Sequence, residues 1–72
     1  MKKKFNVTDV DCADCARQME EAINKIDGVT NAKLNFLTEK LTIEADDSEF
    51  NNILDLAEAE MKKIDKGAAI VR

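Results

Sequence analysis

The stretch KFNVTDVDCADCARQMEEAINKIDG, residues 4–28, changes its hydrophobic period midway, and that change decides the fold. Over residues 4–10, Phe5 and Val7 alternate with polar neighbours, the period of a strand with one buried face. From Cys15 onward Ala16, Met19, Ile23 and Ile26 recur at spacings of three and four, the stripe of an amphipathic helix. Asp27-Gly28 stops that helix, with Gly28 suited to the left-handed C′ position. At the junction stands Asp11-Cys12-Ala13-Asp14-Cys15, which holds both cysteines of the chain.

Working outward, Ala32, Leu34 and Phe36 alternate, and after a short turn so do Leu41, Ile43 and Ala45, which predicts a hairpin. Asp46-Asp47-Ser48 supplies N-cap candidates for a second helix, whose buried stripe is Phe50, Ile53, Leu54, Ala57, Met61 and Ile64. Asp65-Lys66-Gly67 ends it, and residues 68–71 form a short last strand. The order is βαββαβ, one strand–helix–strand unit repeated. Right-handed crossovers put both helices on one face of a four-stranded antiparallel sheet, an α+β ferredoxin-like open-faced sandwich in a single domain, residues 1–72. Polar residues such as Thr8, Lys33 and Thr42 leave the other sheet face wet.

Composition narrows the function. Seventy-two residues are near the lower end of what folds without staples. The chain is 36% charged, with both signs mixed and a net charge of −4, which argues against a nucleic-acid partner. Lys2, Lys3 and Lys4 are the only basic run and read as a solvated lead-in to an edge strand. Phe5 to Asp9 is not an apolar signal region, and no stretch approaches the ~20 apolar residues of a membrane span. The expectation is a soluble cytoplasmic domain, where thiols stay reduced and a Cys-x-x-Cys pair is metal-binding or catalytic. Met19 and Met61 fall on the apolar stripes and read as core, as do Phe5, Phe36 and Phe50. Glu20 and Glu21 read as solvent face, with docking to another domain as a second reading.

The cysteines carry the chemistry. At a helix N-terminus, unpaired backbone N–H groups and the macrodipole favour the thiolate. With no histidine and no third cysteine, the chain cannot build a closed four-ligand zinc site. Two thiolates alone suit Cu(I), whereas divalent Zn, Cd or Pb wants further donors. Asp11 and Asp14 crowd the pair with hard oxygens that serve a divalent ion, or else cap the helix. The topology returns the end of helix two to the cysteine loop, bringing Glu58, Glu60 and Asp65 to that end. At 100° per residue Glu60 falls about 60° to one side of the stripe centred on Ala57, so it leans toward the loop, while Glu58 points further away.

The residues 9–15, Asp-Val-Asp-Cys-Ala-Asp-Cys, together with Gly28-Val29 and Gly67, resemble the heavy-metal-associated domain family. That family has the βαββαβ fold and a Gly-Met-(Thr/Asp)-Cys-x-x-Cys loop. It includes soluble copper chaperones and amino-terminal domains of metal-transporting P-type ATPases. The resemblance implies Cys12 and Cys15 as thiolate ligands and Asp11 as the extra carboxylate of the branch that exports zinc, cadmium and lead. Asp9 and Val10 depart from Gly-Met, implying a looser turn and a lost apolar anchor. Ala68 stands where copper members carry Lys, Tyr or Phe, implying a more open site. The reading is a non-catalytic module binding Cd2+, Zn2+ or Pb2+ rather than Cu+, as part of an exporter in the cell membrane. Its partners would be the exporter's other cytosolic domains or membrane metal site, and the domain would be a monomer that a shared metal could bridge into a dimer. A freestanding metallochaperone or a Cu(I) module are the alternatives within that class. A thiol–disulfide oxidoreductase stands further off, since the chain has no proline to place beside the cysteines and is short for a thioredoxin-like fold.

Overall fold

The computed structural model describes residues 1–10 and 12–71. Strand β1 (Lys2–Thr8) leads into helix α1 (Ala13–Asn24), then strands β2 (Val29–Asn35) and β3 (Lys40–Ala45), helix α2 (Phe50–Ile64) and strand β4 (Ala69–Val71). The sheet order is β2-β3-β1-β4, and every neighbouring pair is antiparallel. This is the ferredoxin-like sandwich that the two periodicities predict.

The alternation of each strand sorts its side chains. Val7, Ala32, Leu34, Leu41, Ile43, Ala45 and Ile70 face the helices and are buried with Met19, Ile23, Ile53, Ala57 and Met61 in one core. Met19 and Met61 are fully buried, as their positions on the helix stripes require. Phe50 is buried and its ring lies 6.3 Å from that of the half-buried Phe5.

The boundaries shift for physical reasons. α1 starts at Ala13 rather than Cys15, because the extended Cys12 is its N-cap. It ends at Asn24, and Gly28 instead occupies a turn closed by the Val29 N–H to the Ile26 carbonyl (3.1 Å), with φ +96°. Such a φ favours glycine. The three Asp46-Asp47-Ser48 candidates do not cap α2 directly. Residues Asp47–Glu49 form a 3-10 turn that feeds into it, and no side chain caps either start. Lys2, Lys3 and Lys4 lie within β1 and pair with β3, so they are a sheet segment rather than a lead-in.

Both outer strands have their free edges covered by the helices. On β2, the Asn24 side chain accepts from the Ala32 N–H and donates to the Ala32 carbonyl, each at 2.9 Å. Glu20 accepts from the Leu34 N–H at 2.9 Å. On β4, Glu58 accepts from the Ile70 N–H at 2.9 Å. Side chains from α1 and α2 thereby satisfy edge groups that would otherwise invite another strand. Glu20 is therefore a sheet-edge partner and not merely solvent face.

Candidate metal centre

β1 ends at Thr8 and α1 begins at Ala13, so the cysteines stand at one end of the sheet. Asp9 makes the bend with φ +57°, a left-handed conformation that costs a non-glycine residue energy but suits Asp better than most. The family glycine is missing here, yet the tight turn is kept, contrary to the looser loop its absence implied. Val10 is 1% exposed and part of the core. It anchors the loop from beneath as a shorter substitute for methionine, so the apolar anchor is not lost either.

Cys12 is exposed and Cys15 half-buried, packed against the core, and no disulfide joins them. Cys12 is the N-cap residue with extended backbone (φ −118°, ψ 126°), and its carbonyl accepts the Ala16 N–H at 2.9 Å. Among the described residues no carboxylate or hydroxyl caps the helix; the first-turn N–H groups of Asp14 and Cys15 face the Cys12 sulfur instead. The Cys12 thiol is held below the ordinary cysteine range. The backbone N–H of Cys15 contributes most, followed by the Cys15 side chain and the Asp14 N–H; partial desolvation and the Asp14 carboxylate oppose them. Asp14 sits inside the first helical turn, not at the cap, so its charge meets the positive end of the helix dipole.

The far side of the site is the turn from α2 into β4. Asp65 ends α2 and accepts the Gly67 N–H at 3.0 Å through Oδ1, while its own carbonyl accepts the Ala68 N–H at 3.0 Å. Gly67 lies directly beneath Asp9: a Cβ there would stand 2.5 Å from Asp9 Oδ2. The cysteine loop and the α2–β4 turn are thus packed against each other through one carboxylate and one glycine. Ala68 is fully buried in the core, so it brings no charged or aromatic group to the loop.

The carboxylates named from the sequence are spread out. Asp11 lies outside the described residues. Glu60 is half-buried, ion-paired with Lys63 at 3.2 Å, and lines a shallow groove with Ala22, Lys25, Ile26 and Asp27 at the far end of α1. The structure does not bring Glu60 to Cys12 and Cys15: its neighbours across the groove, Ala22, Lys25, Ile26 and Asp27, belong to the end of α1 away from the cysteines. Among the described residues, no three Cys, Asp, Glu or His side chains converge in a geometry that could hold a metal. Asp9 is the carboxylate at this end that sequence reasoning passed over. Its signal is its position three residues ahead of Cys12, where the family has glycine.

A model of the heavy-metal-associated domain matches residues 4–66. The chain is 41% identical over 58 residues to a copper-exporting P-type ATPase of Bacillus subtilis, a match over 81% of the chain and 7% of that protein. It is 31% identical over 65 residues to the same organism's cadmium, zinc and cobalt-transporting ATPase, over 90% of the chain and 9% of that protein. The chain therefore spans less than a tenth of the length of these relatives. Among solved structures it is similar to the CopZ metallochaperone, with a TM-score of 0.74 and 30% identity over 99% of this chain and 100% of the other. No helix among the described residues is long and apolar enough to cross a membrane. A strand-to-helix loop bearing Cys-x-x-Cys, an antiparallel sheet in the order β2-β3-β1-β4 and a family match over nearly its full length give one conclusion: the chain belongs to the heavy-metal-associated domain family.

Proposed function

We propose that this domain binds a soft divalent metal ion, Cd2+, Zn2+ or Pb2+, through Cys12 and Cys15, as a module of a metal-exporting P-type ATPase. The observation that carries the reading is the first turn of α1, where an exposed Cys12 with a thiolate favoured by the backbone N–H groups stands one turn from Cys15. Thiolates bind soft ions tightly, and a pair whose Cys12 is exposed leaves the ion a route in and out. Asp11, adjacent to Cys12, is the proposed third donor; Asp9 and Asp14 add negative charge at the same end, which favours a divalent over a monovalent ion. Glu60 serves as a donor only if α2 turns or a second molecule supplies it across a metal-bridged dimer.

Copper is the second reading, and the similarity to a copper-exporting P-type ATPase supports it. Affinities for Cd(II) and Cu(I), measured in one buffer on the wild type and on Asp11→Ala, separate the two. A divalent site loses at least tenfold in Cd(II) affinity in Asp11→Ala while Cu(I) is unchanged. Equal behaviour of both variants toward Cd(II), with far tighter Cu(I) binding, would assign the site to copper.

A further inference from the structure

The sheet face turned away from the helices carries a concentration of positive charge that the net charge conceals. Directly opposed residues on neighbouring strands share a face, and the register stacks them in three rows. One row is Lys33-Thr42-Lys4, the next Asn35-Lys40-Asn6, and the third Asn31-Glu44-Lys2. Lys2, Lys4, Lys33 and Lys40 are all exposed, and Glu44 is the one carboxylate in these rows. Among the described residues, no ion pair engages any of the four; Lys40 donates a hydrogen bond to Asn6. The chain as a whole is −4, and apart from Glu44 on this face and Glu39 in the β2–β3 turn its carboxylates belong to the helices, the turns that flank them and the cysteine loop. The molecule has opposed charged faces.

We propose that this sheet face docks on an anionic lipid-bilayer surface. The rows contain no aromatic residue and so lack the platform that single-stranded nucleic acids stack on; Phe5 lies on the opposite face, against Phe50. Lysine is depleted at protein–protein interfaces but is a principal residue of juxtamembrane surfaces facing acidic headgroups. At the tip of the β2–β3 turn, bordering the face, Leu37 is 80% exposed and can enter the headgroup layer. Docked this way, the acidic helix layer points to water and the cysteine loop stays open at the sheet end. Tethering to a transporter, as in the proposed function, raises the local concentration and makes a weak surface affinity sufficient. The docking itself needs no metal, so its failure leaves the metal assignment standing.

The test is co-sedimentation of the reduced domain with phosphatidylcholine vesicles, with and without one-third phosphatidylserine, in low and high salt. The domain is expected to bind only the anionic vesicles and to leave them at high salt. Lys4→Glu/Lys33→Glu should weaken binding by about tenfold or more, while Lys25→Glu/Lys62→Glu on the helix layer should not. Amide spectra confirm that each variant is folded. Absence of co-sedimentation, equal binding to neutral vesicles, or indifference to the Lys4/Lys33 reversal would each overturn the proposal. Saturable shifts on these rows with polyglutamate, but none with vesicles, would overturn it in favour of an acidic protein partner.

Discussion

Cys12 concentrates the chemistry of the domain in one atom. Because the Cys15 N–H chiefly, with the Cys15 side chain and the Asp14 N–H, favours its thiolate, Cys12 in the reduced apoprotein should alkylate with iodoacetamide at neutral pH faster than an unstructured cysteine. A rate equal to that of a free thiol would remove the electrostatic part of the account. The same linkage sets the direction of pH dependence for the metal. Binding displaces thiol protons, so affinity falls as pH drops through the cysteine range, and the lowered Cys12 range shifts that fall to more acid pH. Asp9 and Gly67 form the other residue-scale pair. Gly67→Ala places a methyl 2.5 Å from Asp9 Oδ2, so the carboxylate must move, and the cost should be about 1 kcal/mol. In an Asp9→Gly background, where the left-handed backbone is also relieved, thermal unfolding should show that cost largely gone. An undiminished cost would mean the two residues are not coupled.

At the scale of elements, each helix does two jobs: it buries a stripe, and it covers one edge of the sheet. The stripe was legible from spacing, since period 3.6 survives any tertiary detail. The edge role was not, because Glu20, Asn24 and Glu58 lie off the stripe and look like ordinary solvent residues until the strand beside them is in place. Asn24→Ala exposes both the N–H and the carbonyl of Ala32 on β2, so chemical denaturation should register a loss of about 1–2 kcal/mol. Glu21→Ala, one turn away and paired with Arg17 on the surface, should lose no more than about 0.5 kcal/mol. Similar losses from both would show that the edge bonds add nothing beyond a surface contact. Reading the loop from the sequence failed in a similar way: the absent Gly-Met suggested a slack turn, yet Asp9 tolerates the left-handed backbone and Val10 fills the core beneath.

Across the whole molecule, the fold holds the cysteines at one end of a packed core, with Cys15 against it and Cys12 exposed. Met61→Ala should cost about 2–5 kcal/mol in stability, being fully buried between the layers, while leaving any surviving folded fraction able to bind metal. The sequence placed the cysteines correctly because the change of period marks the strand–helix junction. It misplaced Glu60 because a helical wheel gives an angle around one axis but not what the neighbouring helix puts opposite it. The central claim, that Cys12 and Cys15 bind a soft divalent ion at this junction, is tested most directly by a Cd(II) titration of the reduced, isotope-labelled domain followed through its backbone amides. The account predicts saturable shifts confined to residues 9–16 and the turn around Gly67, absent in Cys12→Ser/Cys15→Ser although that variant keeps the native spectrum. Tight Cd(II) binding by the doubly substituted domain, or shifts centred away from this loop, would contradict it.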